Sequence, residues 1–263
     1  MTILGFNIND LRLVINIFKM NVRDRYLGSS LGGFWAVFNP LFMLAVYTFV
    51  FGFVFKVRLP GAETTLAYVI WLISGYGPWI AMTEALMSST NSVVGSAGIV
   101  KNMAFKTEIL PISAALTGCI TLIVSLFFLF GLMIVVGNYP SWHLIFLPVI
   151  IFIQFAFAIG VGFWLSAINV FFRDLSQMLT SILAITMFMT PIFYPISSLP
   201  KIMQTVSFAN PFYHIADSYR AVLIDGRLPD FAGLAYVSVL SVVVLFFGLR
   251  NFRRLKGHFD SAL

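Results

Sequence analysis

Long apolar runs separated by short polar stretches dominate the pattern along this 263-residue chain. About 20 apolar residues are enough for a helix to cross the hydrocarbon core of a bilayer. Six runs meet that length, at residues 34–55, 66–88, 109–136, 144–170, 176–194 and 232–249. The predicted fold class is therefore all-α: a polytopic membrane protein with six transmembrane helices.

Two segments outside these runs repeat their apolar residues with a helical period. Residues 8–26 place apolar side chains on one face and polar and basic ones opposite, which favours an N-terminal amphipathic interface helix on the cytoplasmic membrane surface. A solvated leader helix is the alternative. The stretch 195–231 contains two such patterns split near Asn210-Pro211, which predicts a re-entrant helical hairpin before the last span. We accordingly divide the chain into an interface helix at 1–33 and a transmembrane domain at 34–263.

Composition narrows the class of protein further. The chain is 60% hydrophobic and 10% charged, with a mean hydropathy of +0.96. A soluble domain carries about 25% charged residues, so a water-soluble enzyme is excluded. Residues 1–33 carry four basic side chains and no short apolar stretch that ends in a cleavage site, so we expect the first span to remain uncleaved.

The basic residues predict the orientation in the membrane. With the N-terminus in the cytoplasm, 11 of the 16 lysines and arginines fall in inside segments and five in outside segments. Cytoplasmic loops carry the excess of lysine and arginine, so we expect both termini in the cytoplasm.

Several kinds of chemistry are missing from the sequence. It has no Gly-x-x-x-x-Gly-Lys-Ser/Thr phosphate loop, and three scattered histidines and the single Cys119 suggest no metal site. The centres of all six predicted spans lack Asp, Glu, Lys and Arg, whereas ion-coupled carriers usually need such groups there. Glu84 lies about one turn from the end of the second span. It either faces an aqueous cavity or is an ordinary carboxylate at a helix end. Any transport would take its energy from another chain.

Four stretches, taken in order, resemble one family. They are Arg23–Gly32 leading into Phe34–Pro40, then Gly98–Pro111, then Phe172–Leu175 followed by Thr190–Pro195, and finally Asn210-Pro211 with Arg220 ten residues later. Together they resemble the ABC-2-type permease subunits of ABC exporters for lipid-linked polysaccharide, the class that exports O-antigen, capsule or teichoic acid. Lys106 departs from the pattern, since the family often has proline there.

The resemblance implies a function and its partners. The chain would be the permease half of an ATP-driven exporter that moves an undecaprenyl-diphosphate-linked polysaccharide, above all O-antigen, across the bacterial inner membrane. Two copies would pair with two separate ATP-binding subunits, which hold ATP and Mg, and no nucleic acid would be bound. The permease itself would be no enzyme and would hold no cofactor. The alternatives are an ABC permease for another lipid or a drug, and a membrane-embedded acyl- or glycosyltransferase.

The resemblance also implies sites at the cytoplasmic surface. The loop at about 89–108 would dock into the ATPase as a coupling helix, with Arg173 and Asp174 as a second contact. The docking residues expected in that loop are Asn91, Val94, Lys101 and Asn102. An ordinary positive-inside loop would explain its lysines but not its Ser/Asn run. Arg23 and Arg25 would pair with the lipid diphosphate, although topology alone also places arginines there.

Aromatic and proline residues supply candidates for a path and a gate. Sugar rings stack on aromatic faces, so we expect two of six residues to line a glycan path, from among Tyr47, Tyr68, Trp71, Tyr76, Trp79 and Trp164. Interfacial belts explain such residues equally well. We expect Gly75–Pro78 to interrupt the second span. The hairpin at about 195–231 would be an outer gate, with Pro191, Pro195, Asn210, Pro211 and Arg220 as its residues.

Overall fold

The computed structural model describes residues 7–27, 32–55, 64–102, 105–137, 139 and 141–263, and these form helices joined by short turns. The helices are α1 (Ile8–Leu27), α2 (Phe34–Tyr47), α3 (Thr65–Gly95), α4 (Ala97–Asn102), α5 (Ile109–Ala115), α6 (Gly118–Val136), α7 (Leu147–Phe171), α8 (Leu175–Met189), α9 (Lys201–Ala209), α10 (Pro211–Leu223), α11 (Phe231–Leu255) and α12 (Phe259–Ala262). A π-helix at Thr48–Val54 continues α2, and short 3-10 turns occur at Trp142–Phe146, Ile196–Ser198 and Lys256–His258. Within the described ranges the all-α prediction is confirmed.

Five helical segments are long and apolar enough to cross a membrane: Val37–Val54, Thr65–Gly95, Ile109–Val136, Trp142–Phe171 and Phe231–His258. The stretch predicted as a span at 176–194 contains α8, an apolar helix of 15 residues. Thr190 ends α8 in an extended conformation, because the residue before a proline is pushed out of the helical region. The chain is therefore a multi-pass helical protein with five long helices and one shorter apolar helix among its described residues.

Helix α3 lies at the centre of the bundle. Of its most apolar window, 67% is buried by other helices, against 11% for the segment Val37–Val54. The expected interruption at Gly75–Pro78 is wrong, since α3 continues through it. In a membrane, a helix satisfies nearly all of its own backbone hydrogen bonds. A proline within it is tolerated where neighbouring helices compensate for the bond that the proline removes. Gln154 of α7 donates its side-chain amide to the Pro78 carbonyl at 3.0 Å, which ties α7 to α3 beside the proline.

Glycines let the helix backbones approach each other closely. A Cβ added to Gly118 of α6 would lie 2.3 Å from the Ala81 carbonyl oxygen of α3. A Cβ on Gly248 of α11 would lie 2.4 Å from the Gly160 carbonyl oxygen of α7. Small residues of this kind drive helix packing in membranes, where lipid is as apolar as the side chains.

Both termini of the described chain lie at one end of the bundle. This end comprises α1, α4, the turn between α7 and α8, and the last turns of α11, and we call it the basic end. Lys106 bonds Asp10 of α1 at 2.5 Å. A cluster of buried apolar side chains from several helices packs at this end, and it includes Val93, Leu110, Phe163, Phe252 and Phe259.

Helices α9 and α10 form a hairpin at the opposite end. Asn210 caps α10 by accepting a hydrogen bond from the Phe212 amide at 3.0 Å. The Phe212 ring packs into the bundle, 5.0 Å from Trp79 and 5.8 Å from Phe157. Tyr236 of α11 donates its hydroxyl to the Ala209 carbonyl at 2.9 Å. The tip of the hairpin therefore lies beside α11 about 8 Å beyond the start of that helix, at 1.5 Å per residue.

Two separate substitutions in α6 test the importance of the close backbone approach. Gly118→Ala places a methyl group against the Ala81 carbonyl, so we expect it to lower the free energy of unfolding by about 1–3 kcal/mol. Gly131→Ala in the same helix meets nothing within 4 Å and should be neutral or stabilising. Thermal unfolding of the purified protein in detergent measures both. Equal melting temperatures for the two variants would show that this contact does not limit stability.

Candidate functional site

The proposed coupling residues lie at the basic end. Asn91 and Val94 are in the last turns of α3, and Lys101 is in α4; the Asn91 and Lys101 side chains are exposed. The backbone of Asn102 ends α4, and its side chain lies outside the described residues. Asn169 of α7 donates its amide to the Thr90 carbonyl at 3.0 Å, which ties the end of α7 to the end of α3. The exposed Arg173 and Asp174 follow one turn after Asn169, so the two proposed contacts share one end of the bundle.

A buried carboxylate, Glu108, organises this end. Its side chain is 3% exposed and accepts hydrogen bonds from Arg253 at 3.1 Å and Lys256 at 2.9 Å. Burial alone would favour the neutral acid, but the bonds from Lys256 and Arg253 outweigh it and hold the pKa of Glu108 below its ordinary value. The hydrogen bond from Lys106 lowers the pKa of Asp10 in the same sense. The segment that precedes α5 is thus tied to α1 and to the end of α11.

The two proposed diphosphate ligands are in the last turns of α1. The Arg23 side chain is exposed, and that of Arg25 lies outside the described residues. Of these two arginines, the structure therefore shows Arg23 as an exposed side chain at the basic end.

Five of the six proposed path aromatics cluster in the half of the bundle away from the basic end. Phe193, fully buried, is the centre of the cluster: its ring lies 4.8 Å from Tyr47 and 6.1 Å from Tyr76. Tyr68 donates its hydroxyl to the Phe193 carbonyl at 3.1 Å. Trp71 and Trp79 flank the cluster on α3. Tyr68, Tyr76 and Trp79 are buried within the chain, and Trp164 packs apart from the cluster, beside Gly248.

Arg220 of α10 is the central residue of the proposed gate. The side chain is buried and donates one hydrogen bond to the Pro191 carbonyl and another to the Ile192 carbonyl, each at 2.8 Å. Its guanidinium carbon lies 3.7 Å from the centre of the Trp71 ring, an attractive cation–π geometry. The two carbonyls follow the end of α8, where a helix favours positive charge. Gly75 makes room for the guanidinium, because a Cβ there would lie 2.5 Å from it.

Further hydrogen bonds hold the same hairpin. Asn210 donates its amide to the Thr190 hydroxyl at 2.8 Å, so the tip of the hairpin is bonded to the end of α8. Tyr219 donates its hydroxyl to the Gln154 side chain at 2.6 Å. Pro191, Asn210 and Arg220 are therefore brought together, while Pro195 precedes the 3-10 turn and Pro211 begins α10.

Three residues of these networks were absent from the sequence predictions. Gln154 stands out as an amide within an otherwise apolar run, and such polar residues in membrane helices are usually bonded to neighbouring helices. Glu108 is an acidic residue next to a predicted span, and its burial and its basic partners become evident only from the fold. Phe193 carries no signal that separates it from the other phenylalanines. No group of three His, Cys, Asp or Glu that could hold a metal occurs among the described residues.

Comparisons with known proteins give one consistent result. A family model described as ABC-2 type transporter matches residues 12–224. The chain is 28% identical over 253 residues to the O-antigen export system permease protein RfbA of Myxococcus xanthus, with 95% of each chain covered. It is 28% identical over 255 residues to the protein of the same name from Klebsiella pneumoniae, again with 95% of each chain covered. It is also 21% identical to the polysialic acid transport protein KpsM of Escherichia coli, covering 90% of this chain and 91% of that one.

Removal of the Arg220 guanidinium should destabilise the hairpin. Arg220→Met leaves the Pro191 and Ile192 carbonyls without their donors, at a cost of about 1–3 kcal/mol for each buried acceptor. Arg227→Met is the matched control, because Arg227 pairs with Asp217 and Asp225 near the surface, where ion pairs contribute about 0–1 kcal/mol. Hydrogen–deuterium exchange should accelerate at 190–195 and 201–223 in the first variant only. Unchanged exchange would show that Arg220 does not hold the hairpin.

The Glu108 cluster should give a pH-dependent contribution to stability. Because the folded pKa is lowered, the ionised carboxylate stabilises the protein above its ordinary pKa of about 4.5, and this contribution is lost as the pH falls through the folded value. At pH 7 we expect Glu108→Gln to lower the free energy of unfolding by about 2 kcal/mol. The difference from the unmodified protein should shrink below pH 4.5. Asp174→Asn, at an exposed acid of the same end, should change little, and a pH-independent difference would contradict the ion-pair account.

Proposed function

The chain belongs to the ABC-2 type transporter family, and from that premise we propose that it is the membrane-spanning permease of an ATP-driven polysaccharide exporter. The observation that carries the proposal is the match over 95% of both chains to two proteins named as O-antigen export permeases. The chain is accordingly a multi-pass protein of the bacterial inner membrane.

The proposed substrate is a polysaccharide joined to undecaprenyl diphosphate, with O-antigen first among the candidates. The exposed Arg23 on α1 supports a role in attracting the diphosphate, because guanidinium groups bind phosphate oxygens in a bidentate manner. The basic end carries most of the basic residues, and such residues are in excess on the cytoplasmic side of a membrane protein. Both termini would therefore lie in the cytoplasm.

We propose that α8 is the sixth pass through the membrane. It starts at the basic end after Asp174 and ends at Thr190, beside the hairpin at the opposite end. Its 15 residues extend only about 22 Å. The turns and bends from Thr190 to Pro195 continue the chain beyond the end of this helix. The hairpin α9–α10 would be re-entrant and would close the outer side of the path.

A second copy of the chain would complete the path. Helix α8 exposes Gln177, Thr180 and Ser181 although it crosses the membrane, and polar groups are unfavourable against lipid. The aromatic face of α2 is exposed as well, with Phe34, Phe38 and Phe42 stacked at 5.2 and 5.6 Å. These surfaces support a homodimer in which the two copies enclose a water-filled conduit.

Energy would come from two ATP-binding subunits docked on the basic end. The exposed side chains of Asn91, Lys101, Arg173 and Asp174, with the neighbouring Val94 and Asn102, form the proposed docking surface. The ion pairs of Glu108 link the segment between α4 and α5 to the end of α11. A displacement of α4 by the ATPase would therefore be transmitted to the helix bundle.

Charge reversal at one lysine tests the docking surface. Lys101→Glu should reduce binding of the co-purifying ATPase about tenfold, because about 1.4 kcal/mol of lost interaction free energy corresponds to that factor. Polymer export should fall with it. Lys201→Glu is the control, since Lys201 is an exposed first residue of a short helix at the opposite end. Co-purification and ATP-dependent export of polymer in cells measure both variants.

The same assay separates the alternative functions. Sugar or acyl transfer by the purified chain in the absence of the ATPase would identify an enzyme and contradict the proposal. ATP-dependent export of an unlinked lipid or a drug, with polymer retained inside the cell, would identify a different ABC permease.

A further inference from the structure

A cavity of about 670 Å³ opens between α1, α2, α3, α5 and α6, away from the aromatic cluster and the hairpin. That volume lies within the range of sites that hold small molecules. Its wall on α2 runs from Trp35 to Met43, about 12 Å at 1.5 Å per residue. On α3 the cavity extends from the basic end at Gly95 down to Ile80, so it runs from the helix end into the bundle.

The lining of this cavity is rich in neutral hydrogen-bonding groups. Amides and hydroxyls come from four helices, with Asn21, Asn39, Ser88, Asn91, Thr117 and Thr121 among them. Asp24 and Glu84 add two carboxyl groups, and Trp35 adds an aromatic surface near the basic end. Among the described residues, those that line the cavity include no lysine, arginine or histidine.

Hydrogen bonds orient part of this lining. Thr121 of α6 is buried and donates its hydroxyl to the Glu84 carboxyl group. Thr117 donates to the Ser88 hydroxyl at 3.2 Å. Thr83 also lines the cavity, and its buried hydroxyl oxygen has no hydrogen-bond partner among the described residues. A polar oxygen enclosed in this way is unfavourable unless something bonds to it.

The lining discriminates between kinds of occupant. An anion would meet two carboxyl groups and no lining cation among the described residues, so a diphosphate is disfavoured. An acyl chain would cover the Asp24 and Glu84 carboxyl groups and the Asn21 and Asn39 amides without offering them a hydrogen bond, which is also unfavourable. A sugar fits both the polar and the aromatic parts, because hydroxyls bond to carboxylates and amides while the C–H face of the ring packs on tryptophan.

We propose that this cavity binds the carrier-proximal sugar of the lipid-linked polysaccharide, so that a neutral sugar is recognised at the basic end before translocation. This inference rests on the proposed function and deepens it. Glu84 and Thr121 bond the sugar hydroxyls, Trp35 packs on the ring, and the diphosphate stays outside the cavity, on the side of Arg23.

Protection of an introduced cysteine tests the proposal. In the permease–ATPase complex in lipid nanodiscs, with Cys119→Ser as background, Asn21→Cys places a thiol in the cavity wall. Lys19→Cys places one on an exposed face of the same helix outside that wall. Undecaprenyl diphosphate N-acetylglucosamine at ten times its Kd should slow maleimide labelling at position 21 about tenfold, as mass action requires. Labelling at position 19 should not change, and undecaprenyl diphosphate without sugar should not protect position 21.

A second pair of variants identifies the bonding groups. Thr121→Val removes the hydroxyl that orients Glu84 and should weaken binding about tenfold, the effect of one hydrogen bond, so that protection at the same concentration falls to about twofold. Ser125→Ala, one turn further along α6 and outside the cavity lining, should leave protection unchanged. Equal protection by the carrier with and without sugar, or none by either, would overturn the sugar site. If ATP-driven polymer export persists in that case, the proposed function stands; loss of export from the unmodified complex would overturn both.

Discussion

Close approach of helix backbones around α3 is the constraint on which the rest of the structure depends. Lipid offers no hydrophobic force to bring helices together, so packing must come from surface complementarity. Gly118 against Ala81 joins α6 to α3, and Gly160 with Gly248 joins α7 to α11. Gly162 lies against Ser89 in the same manner and joins α7 to α3. Side chains with a Cβ at these positions would hold the backbones apart, and the polar contacts between helices would lose their reach.

Those polar contacts become strong because the close packing excludes water from them. The guanidinium of Arg220 reaches two carbonyls, and Gln154 joins Tyr219 to the Pro78 carbonyl, all within the bundle. At low dielectric a satisfied network is rigid, and each member is unfavourable without its partners. The hairpin is therefore fixed by a few directional bonds to α8 and α7, whereas the central helices are fixed by continuous backbone contact.

The sequence was sufficient for the fold class and for the placement of most helices, because long apolar runs and proline punctuation act locally. Asn210-Pro211 marks the boundary between α9 and α10, and Pro191 marks the end of α8. The sequence was insufficient where contacts with neighbouring helices determine the conformation or the environment of a residue. Gly75–Pro78 looks like an interruption in isolation, but enclosure by α6, α7 and α10 keeps α3 helical. The sequence places Arg220 in the proposed outer gate, but it does not show that Gly75 and the end of α8 together enclose its guanidinium.

Helix α3 also connects the two ends mechanically. Asn91 lies near one end of it, and Trp71 and Gly75, which enclose the Arg220 guanidinium, lie towards the other. A packed helical core is nearly incompressible, so a displacement at the basic end moves α3 as a rigid body. The backbone contacts with α6 and α7 must move with it. The segment after α8 is held differently: an extended backbone at Thr190 and single hydrogen bonds, such as the one from the Asn210 amide to the Thr190 hydroxyl, stand where the other helices have backbone contact.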